Sequence, residues 1–500
     1  MRVGEIAADV APLRESREFR LLFAASALSM LGTALTSVAA SLQVYDIGGS
    51  SLHVGMVNVV IAVSLCIGLL TGGVVADRAD RRAVILSTRA GAAVVVLALA
   101  GNALMDRPQL WVIYLLAVAA GLVNGLGAPA LMAVTPALVG RKHLAAAGAL
   151  LTLTTQFGAM VGPTVAGIVA AGPGVATCYL LDAGGFAVGA VLLWRLPELR
   201  PERRVEESAG TPEGTPAGIP VGTAVPGTAE AGRADAGKAE EAAGHPLRDI
   251  ADGLRHLRGQ PVIRALMLVD LFAVLLAMPY ALFPQIGERV FDGGPMTVGL
   301  LYSAPSVGAF LGAATSGWTG RVLRPGTALA AAAAGWGLAV AAFGASGVLW
   351  LALPLLAVAG YADTISEILR RALIQTYTPD HLQGRVGSLW LAQATAAPSA
   401  GNALAGLGTR LVAPGTVLVA GGAACAAVVG VVTAGSPELR NATLRSEHEA
   451  EPDHGHARET EPGKHGAPEP ADIPEPVSGA VPEPVSRTER QDPDDRHQPV

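Results

Sequence analysis

Residues 73–82 read Gly-Val-Val-Ala-Asp-Arg-Ala-Asp-Arg-Arg and connect two apolar stretches, near 53–75 and 83–104. Each stretch is long enough to cross a bilayer as a helix, which takes about 20 residues. The connection carries five charged residues, namely Asp77, Arg78, Asp80, Arg81 and Arg82. Short loops rich in arginine stay on the cytoplasmic side of a membrane. This part of the sequence therefore predicts two membrane-spanning helices joined by a charged cytoplasmic loop.

Apolar stretches of similar length recur along the whole chain. Of its 500 residues, 51% are hydrophobic and only 15% are charged, whereas a soluble domain carries about 25% charged residues. The formal net charge of -6 argues against a nucleic-acid-binding protein, which would be basic. We predict an all-α integral membrane protein with twelve spans, near 19–44, 53–75, 83–104, 110–134, 144–171, 175–195, 262–286, 297–319, 326–344, 347–370, 386–410 and 415–435.

Lysine and arginine are distributed unequally between the two sets of connections. One set, with the N-terminal segment, holds 14 of these residues and the other holds three, so the first set is predicted to be cytoplasmic. Both termini are then cytoplasmic, and we expect the protein in the cell membrane. The first span has an apolar run of about 25 residues, longer than that of a cleaved signal peptide, so we expect it to be retained.

Two hydrophilic segments interrupt this pattern and define the predicted domains. They are rich in Pro, Gly, Ala and Glu, and they cannot bury enough apolar surface to fold. The residues 245–259 at the end of the first segment are predicted to form an amphipathic surface helix. The predicted organisation is a cytoplasmic N-terminus (1–18), a six-helix half (19–200), a disordered linker (201–247), a second six-helix half (248–436) and a disordered acidic cytoplasmic tail (437–500).

The two halves resemble each other at a nearly constant offset. A shift of 244 residues places Gly55 and Gly68 of the second span on Gly299 and Gly312 of the eighth. The segment 135–141, Thr-Pro-Ala-Leu-Val-Gly-Arg, recurs in 378–385 with one inserted residue. Two six-span repeats are typical of transporters whose substrate site lies between the halves. Chance similarity between helices rich in Gly and Ala is the alternative interpretation.

The charged loop resembles the Gly-x-x-x-Asp-Arg-x-x-Arg-Arg loop that lies between spans two and three in the major facilitator superfamily. The resemblance implies that Gly73 permits close helix packing and that Asp77 faces the N-terminus of span eleven. It also implies that the arginines pair with Asp77 or Asp80 and lock the cytoplasmic side during the transport cycle. Simple cytoplasmic anchoring of the spans is the alternative.

Span five carries Gly158, Gly162, Pro163 and Gly167. This spacing is similar to a Gly-x-x-x-Gly-Pro motif of superfamily exporters that run as antiporters. Glycines four residues apart form a flat packing face, and a proline inside a helix removes one backbone hydrogen bond. A plain packing role is the alternative.

Four acidic residues lie inside predicted spans, where an ionisable group is costly and is by default a functional candidate. They are candidates for proton coupling or substrate contact: Asp182, Asp270, Asp363 and Glu367. A structural ion pair of Glu367 with Arg370 or Arg371 is the alternative for that residue. Polar side chains in otherwise apolar spans are candidates for the cavity wall: Gln43, Asn58, Gln156, Gln393 and Asn402. Each of these could instead bond a neighbouring helix.

Within the superfamily, the chain resembles bacterial enterobactin (siderophore) exporters and related drug exporters. The stretches that carry this resemblance are 72–78, 135–141, 245–257, 299–302 and 384–390. The resemblance implies a major facilitator fold of two pseudo-symmetric halves and proton-driven export of a siderophore or related natural product. A multidrug or macrolide-type exporter is the alternative, followed by nutrient uptake and a non-transporting membrane sensor.

The expected partners are the lipid bilayer, a small-molecule substrate and protons, with no nucleic acid, and we expect a monomer. We expect neither a cofactor nor a metal. The three cysteines lie in apolar runs without metal-ligand spacing, and no nucleophile–base pattern points to an enzyme.

Overall fold

The computed structural model describes residues 11–195, 259–379 and 382–444, apart from some side chains inside these ranges. The described part is built of helices without a strand. Between two short helical turns, over Ala11–Glu15 and Pro437–Arg440, lie twelve α-helices. They are α1 (Arg17–Gly48), α2 (Ser51–Arg78), α3 (Arg81–Ala103), α4 (Leu110–Ala171), α5 (Val175–Trp194), α6 (Pro261–Leu276), α7 (Phe283–Arg289), α8 (Pro295–Thr315), α9 (Pro325–Ala345), α10 (Leu349–Tyr377), α11 (Gln383–Gly408) and α12 (Pro414–Gly435).

Within the described residues, eleven segments are long and apolar enough to cross a membrane. They correspond to every predicted span except the eleventh. That span is present as α11, which has 26 residues and is therefore about 39 Å long. Polar residues such as Gln393, Ser399 and Asn402 make it less apolar than the others. The chain is a multi-pass membrane protein, and its described part is all-helical, as predicted.

Helix α4 contains both span four and span five, so the predicted loop near 135–142 is helical instead. Contacts nevertheless show that the chain reverses within α4. Gly121 packs on Ser64 of α2, and Gly162 packs on Ala34 of α1. A straight helix would separate Gly121 and Gly162 by about 60 Å. The residues that they contact, Ser64 and Ala34, each lie about 22 Å from the α1–α2 turn, so these two are at most about 45 Å apart. The chain therefore turns back between two arms, Leu110–Leu131 and Ala146–Ala171.

Span seven is broken, whereas the sequence predicts one stretch over 262–286. Helix α6 ends at Leu276, a 3-10 turn covers Tyr280–Leu282, and α7 begins at Phe283. The break includes Pro279, which cannot donate a backbone hydrogen bond. It places Met278, Pro279 and Tyr280 in the wall of a cavity described below.

The two halves use the same helix pairings, which supports the predicted duplication. In the first half, α2 packs on α4, and in the second, α8 packs on α10. Both pairs pack through glycines: Gly125 faces the backbone of α2 at Leu65, and Gly308 faces the backbone of α10 at Ala357. The absence of a side chain at these positions lets the helix backbones approach closely.

The halves meet at one end of the bundle. We call the end where α1 passes into α2 the Gly49 end, and the end where α2 finishes the Arg78 end. Across the interface, Gly55 of α2 lies against Ala403 of α11, and Gly167 of α4 lies against Gly299 of α8. Gly55 and Gly299 are positions that the sequence comparison of the halves had aligned.

Towards the Arg78 end, the same two helices separate. Gly73 lies 18 residues, or five helical turns, after Gly55, and Gly384 lies 18 residues before Asn402, which also contacts Gly55. Each of these two glycines is therefore on the face of its helix that makes the contact at the Gly49 end. No neighbouring atom lies within 4 Å of a Cβ built on either glycine. Among the described residues, the α2–α11 interface is thus closed at the Gly49 end and open at the Arg78 end.

The folded body extends beyond the predicted boundary at 436. Leu439, in a short helix over Pro437–Arg440, and Ala442, just after it, are almost completely buried. The Leu439 carbonyl lies against Gly326 at the start of α9, and the Thr443 amide donates to the Tyr377 hydroxyl. We call residues 437–444 the C-terminal strap. The linker, the predicted surface helix and the remainder of the tail lie outside the described residues.

Candidate functional site

The second half encloses a cavity of about 310 Å³, which we call the C-half cavity. Its wall contains Asp270 of α6 and Arg370 of α10, whose side chains form an ion pair at 2.7 Å and are each less than one-tenth exposed. Gln393 of α11 donates to the other Asp270 carboxylate oxygen at 2.8 Å and to the Met267 carbonyl at 3.1 Å. Three helices therefore converge on one buried carboxylate.

The remaining charged groups of this cavity come from α10. Glu367 pairs with Arg371 at 2.5 Å, one helical turn along. This is one of the two ion pairs that the structural alternative for Glu367 had named. The Arg371 guanidinium lies 4.8 Å from the ring centre of Trp390. Asp363 also faces the cavity, and its side chain is exposed there.

A second cavity, of about 360 Å³, lies between the halves. Asn58 of α2 and Asn402 of α11 line it from opposite sides, although both also bond backbone groups. The Tyr302 hydroxyl donates to Ser41 across the interface at 3.0 Å. Tyr280 lines both this cavity and the C-half cavity, so the broken span seven separates the two.

In the first half, Asp182 of α5 is buried, with 1% of its surface exposed. The Thr36 hydroxyl donates to one of its oxygens at 2.5 Å, and its other oxygen has no hydrogen-bond partner. A Cβ on Gly32 would lie 2.1 Å from that unpaired oxygen, so α1 passes directly over the carboxylate. Arg89 of α3 lies within electrostatic range of Asp182 and donates to Ser29 instead.

The predicted gating loop is described only in part, because the side chains of Asp77, Arg78 and Arg81 lie outside the described residues. The Asp80 carboxylate accepts from the Arg82 amide at 3.0 Å and begins α3. The Arg82 guanidinium donates to the Trp194 carbonyl at the end of α5. The expectation that Gly73 packs closely is wrong among the described residues, because none of their atoms lies within 4 Å of a Cβ built on it. Gly72 makes the close contact instead, on Leu126.

The predicted exporter motif has a clear packing role. Gly158 and Gly162 lie against Met30 and Ala34 of α1, and Gly167 lies against α8 of the other half. Pro163 is buried and its carbonyl faces Gly299 across the interface. The motif therefore serves both the first half and the contact between halves.

The two remaining polar candidates differ. Gln43 is buried and its side-chain oxygen accepts from the Tyr179 hydroxyl at 2.8 Å, so it bonds a neighbouring helix. Gln156 is half-buried and makes no hydrogen bond to a described residue. Sequence reasoning missed Tyr280 and Tyr302, because aromatic residues in apolar spans give no signal. Arg370 was considered only as a partner of Glu367. Because it shares a face of α10 with Asp363, it could also have been proposed as the partner of the acid in span seven, Asp270.

Comparisons with known proteins give a consistent result. The family model described as the Major Facilitator Superfamily matches residues 22–401. The chain is 32% identical over 410 residues to the enterobactin exporter EntS of Citrobacter koseri, covering 82% of this chain and 89% of that protein. It is 30% identical over 394 residues to EntS of Escherichia coli O1:K1 / APEC, covering 79% and 86%. A POT family transporter solved in complex with 5-aminolevulinic acid has the same fold, with a TM-score of 0.62 at 12% identity over 85% of this chain and 97% of that one.

Proposed function

Because this chain belongs to the major facilitator superfamily, we propose that it is a secondary transporter that exports a siderophore or related natural product by proton antiport. The observation that carries the proposal is the buried Asp270–Arg370 ion pair in the wall of the C-half cavity. When a buried carboxylate is neutralised by a single cation, protonation of the carboxylate breaks the ion pair and so changes the local structure.

The proton step is a rearrangement of this pair. When Asp270 binds a proton, it loses the negative charge that holds Arg370, and the guanidinium is then free to turn to Asp363 or Glu367 in the same cavity. When the proton leaves, the ion pair forms again. Since Asp270, Arg370 and Gln393 belong to three different helices, each change of protonation alters how α6, α10 and α11 are held together.

Alternating access follows from the contacts between the halves. In our proposal the Arg78 end is cytoplasmic, in agreement with the arginine-rich connections there, and the open interface admits cargo from the cytosol. Separation of the backbone contacts at the Gly49 end, with closure at the Arg78 end, would release the cargo outside. The cell membrane, a monomeric state and cytoplasmic termini are parts of the same proposal.

The proposed cargo rests on the names of the relatives and not on a bound molecule. Both reported relatives are called enterobactin exporters, which favours a siderophore over nutrient uptake. The second candidate, export of drugs or macrolides, is supported by the aromatic wall of the C-half cavity, where Trp336, Trp390 and Tyr280 lie.

Proteoliposomes with purified protein test this proposal. We expect a siderophore, either enterobactin or a linear trihydroxamate with a terminal primary amine, to accumulate against its gradient only when the lumen is more acidic than the bath. Asp270→Asn should lose the response to the pH gradient, and Asp106→Asn, a charge removed from an exposed turn, should keep it. Accumulation of ethidium in place of either siderophore would favour the drug exporter. No gradient-driven accumulation of any of the three compounds would contradict the proposal.

A further inference from the structure

The C-half cavity has one more acid than its ion pairs neutralise. Three carboxylates line it, on Asp270, Asp363 and Glu367, with two guanidinium groups, on Arg370 and Arg371. Asp270 pairs with Arg370 and Glu367 pairs with Arg371, at 2.7 and 2.5 Å. Asp363 has neither a hydrogen bond nor an ion pair of 4 Å or less with any described residue, and its side chain is exposed to the cavity. With both pairs formed and Asp363 ionised, the cavity carries one net negative charge.

Aromatic rings stand in the same wall as this acid. Trp336 of α9 and Tyr280 both line the cavity, and the Tyr280 hydroxyl lies within electrostatic range of Asp363. The negative face of an aromatic ring attracts a cation. The third ring, on Trp390, is already covered by the Arg371 guanidinium. Trp336 is only 8% exposed, and the Tyr280 ring stacks on Tyr302 on one side. Each of these two rings therefore offers a ligand cation only the part that lines the cavity.

The size of the cavity limits what it can hold. Sites for drug-sized ligands occupy roughly 300–1,000 Å³, so a cavity of about 310 Å³ fits a small molecule or one end of a larger one. Tyr280 also lines the cavity between the halves. A larger cargo could thus place one end in the C-half cavity and its remainder between the halves.

We propose that the C-half cavity binds a positively charged group of the cargo, such as a protonated amine, with Asp363 as its counter-ion and Trp336 and Tyr280 as its aromatic wall. This inference rests on the proposed function and names the chemical class of the cargo. A role for Asp363 as a proton carrier without cargo contact is the competing assignment.

Binding to the purified protein in detergent tests the inference without requiring transport. The probes are two matched pairs that differ by one positive charge. One pair is a linear trihydroxamate siderophore with a terminal primary amine and its N-acetyl derivative. The other is a fluorescent alkylamine and its N-acetyl derivative. Equilibrium binding is measured for the wild-type protein, Asp363→Asn, the charge-conserving Asp363→Glu and the control Asp106→Asn.

We expect the wild-type protein to bind the amine of at least one pair about tenfold or more tightly than its acetylated form, since hydrogen bonds to charged groups give differences of this size. Asp363→Asn should bind both forms equally, whereas Asp363→Glu and Asp106→Asn should keep the preference. Equal binding of both forms by the wild-type protein, a preference that survives in Asp363→Asn, or binding of no probe would overturn the inference. The transport experiment above reports separately on export, so failure of export and failure of this inference are distinguishable.

Discussion

Replacing Asp270 with asparagine should destabilise the second half of the protein. The substitution keeps the shape of the side chain and its hydrogen bond with Gln393, but it removes the charge that lies 2.7 Å from Arg370. The Arg370 side chain is only 9% exposed, and an arginine in a protein stays charged. Removing one partner of a buried ion pair costs about 3–5 kcal/mol. Since Asp363 and Glu367 line the same cavity, we expect the lower end of this range.

A second substitution should relieve much of this loss. Arg370→Met removes the unpaired cation and keeps an aliphatic side chain of similar length, so the double variant should be more stable than Asp270→Asn alone. Arg370→Met alone should be the milder single change, because a carboxyl group left without its partner can take up a proton. A cost of about 3 kcal/mol corresponds to a change of about 150-fold in the ratio of unfolded to folded protein.

Unfolding in mixed micelles, followed by the reaction of a thiol dye with the buried Cys178 and Cys425, measures these differences. Asp106→Asn serves as the charge-removal control. The reasoning is wrong if Asp270→Asn unfolds at the same detergent composition as the wild type, or if the double variant is no more stable than Asp270→Asn.

Two further predictions concern the packing of the helices. Gly72→Ala should reduce the amount of folded protein in the membrane, because its Cβ would lie 2.8 Å from the Leu126 Cα. Gly73→Ala should be tolerated, because no neighbouring atom of a described residue lies within 4 Å of its Cβ. Equal amounts of the two variants would show that the close contact of Gly72 with α4 does not matter for folding. The hydroxyls of Thr164 and Ser303 lie 2.8 Å apart across the two halves. In a background free of other cysteines, oxidation of the double variant Thr164→Cys/Ser303→Cys should therefore stop export until a reductant is added. Both single variants should stay active. Export by the cross-linked protein would exclude separation of the halves at the Gly49 end.

The sequence predicts the spans well, because long apolar runs bounded by charged or helix-breaking residues leave few alternatives. Span nine is predicted over 326–344 and is found at Pro325–Ala345, and span six is predicted over 175–195 and found at Val175–Trp194. The continuous helix through 135–142 and the break before Tyr280 were missed. Both are decided by neighbouring helices, about which a local hydrophobic pattern contains no information.

The ion pair of Asp270 in the C-half cavity is another feature that a local sequence pattern cannot predict. Each acidic residue was identifiable as a charge in an apolar span, but the partner of Asp270 lies on a different helix, and only the packing of α6 on α10 brings the two together. Gly73 and Gly72 differ by one residue in the sequence and by about 100° around α2. A motif identifies the segment that packs, but the neighbouring backbone decides which glycine is needed.

The C-terminal strap has a consequence for the order in which the protein folds during synthesis. Leu439 lies fully buried against the start of α9, more than 100 residues earlier in the chain, so the second half cannot finish packing until the ribosome has passed its last span. The first half needs no such late segment among its described residues. Biosynthesis should therefore pass through a membrane-inserted intermediate with a completed first half and an unfinished second half, and quality-control proteases would encounter the protein in that form.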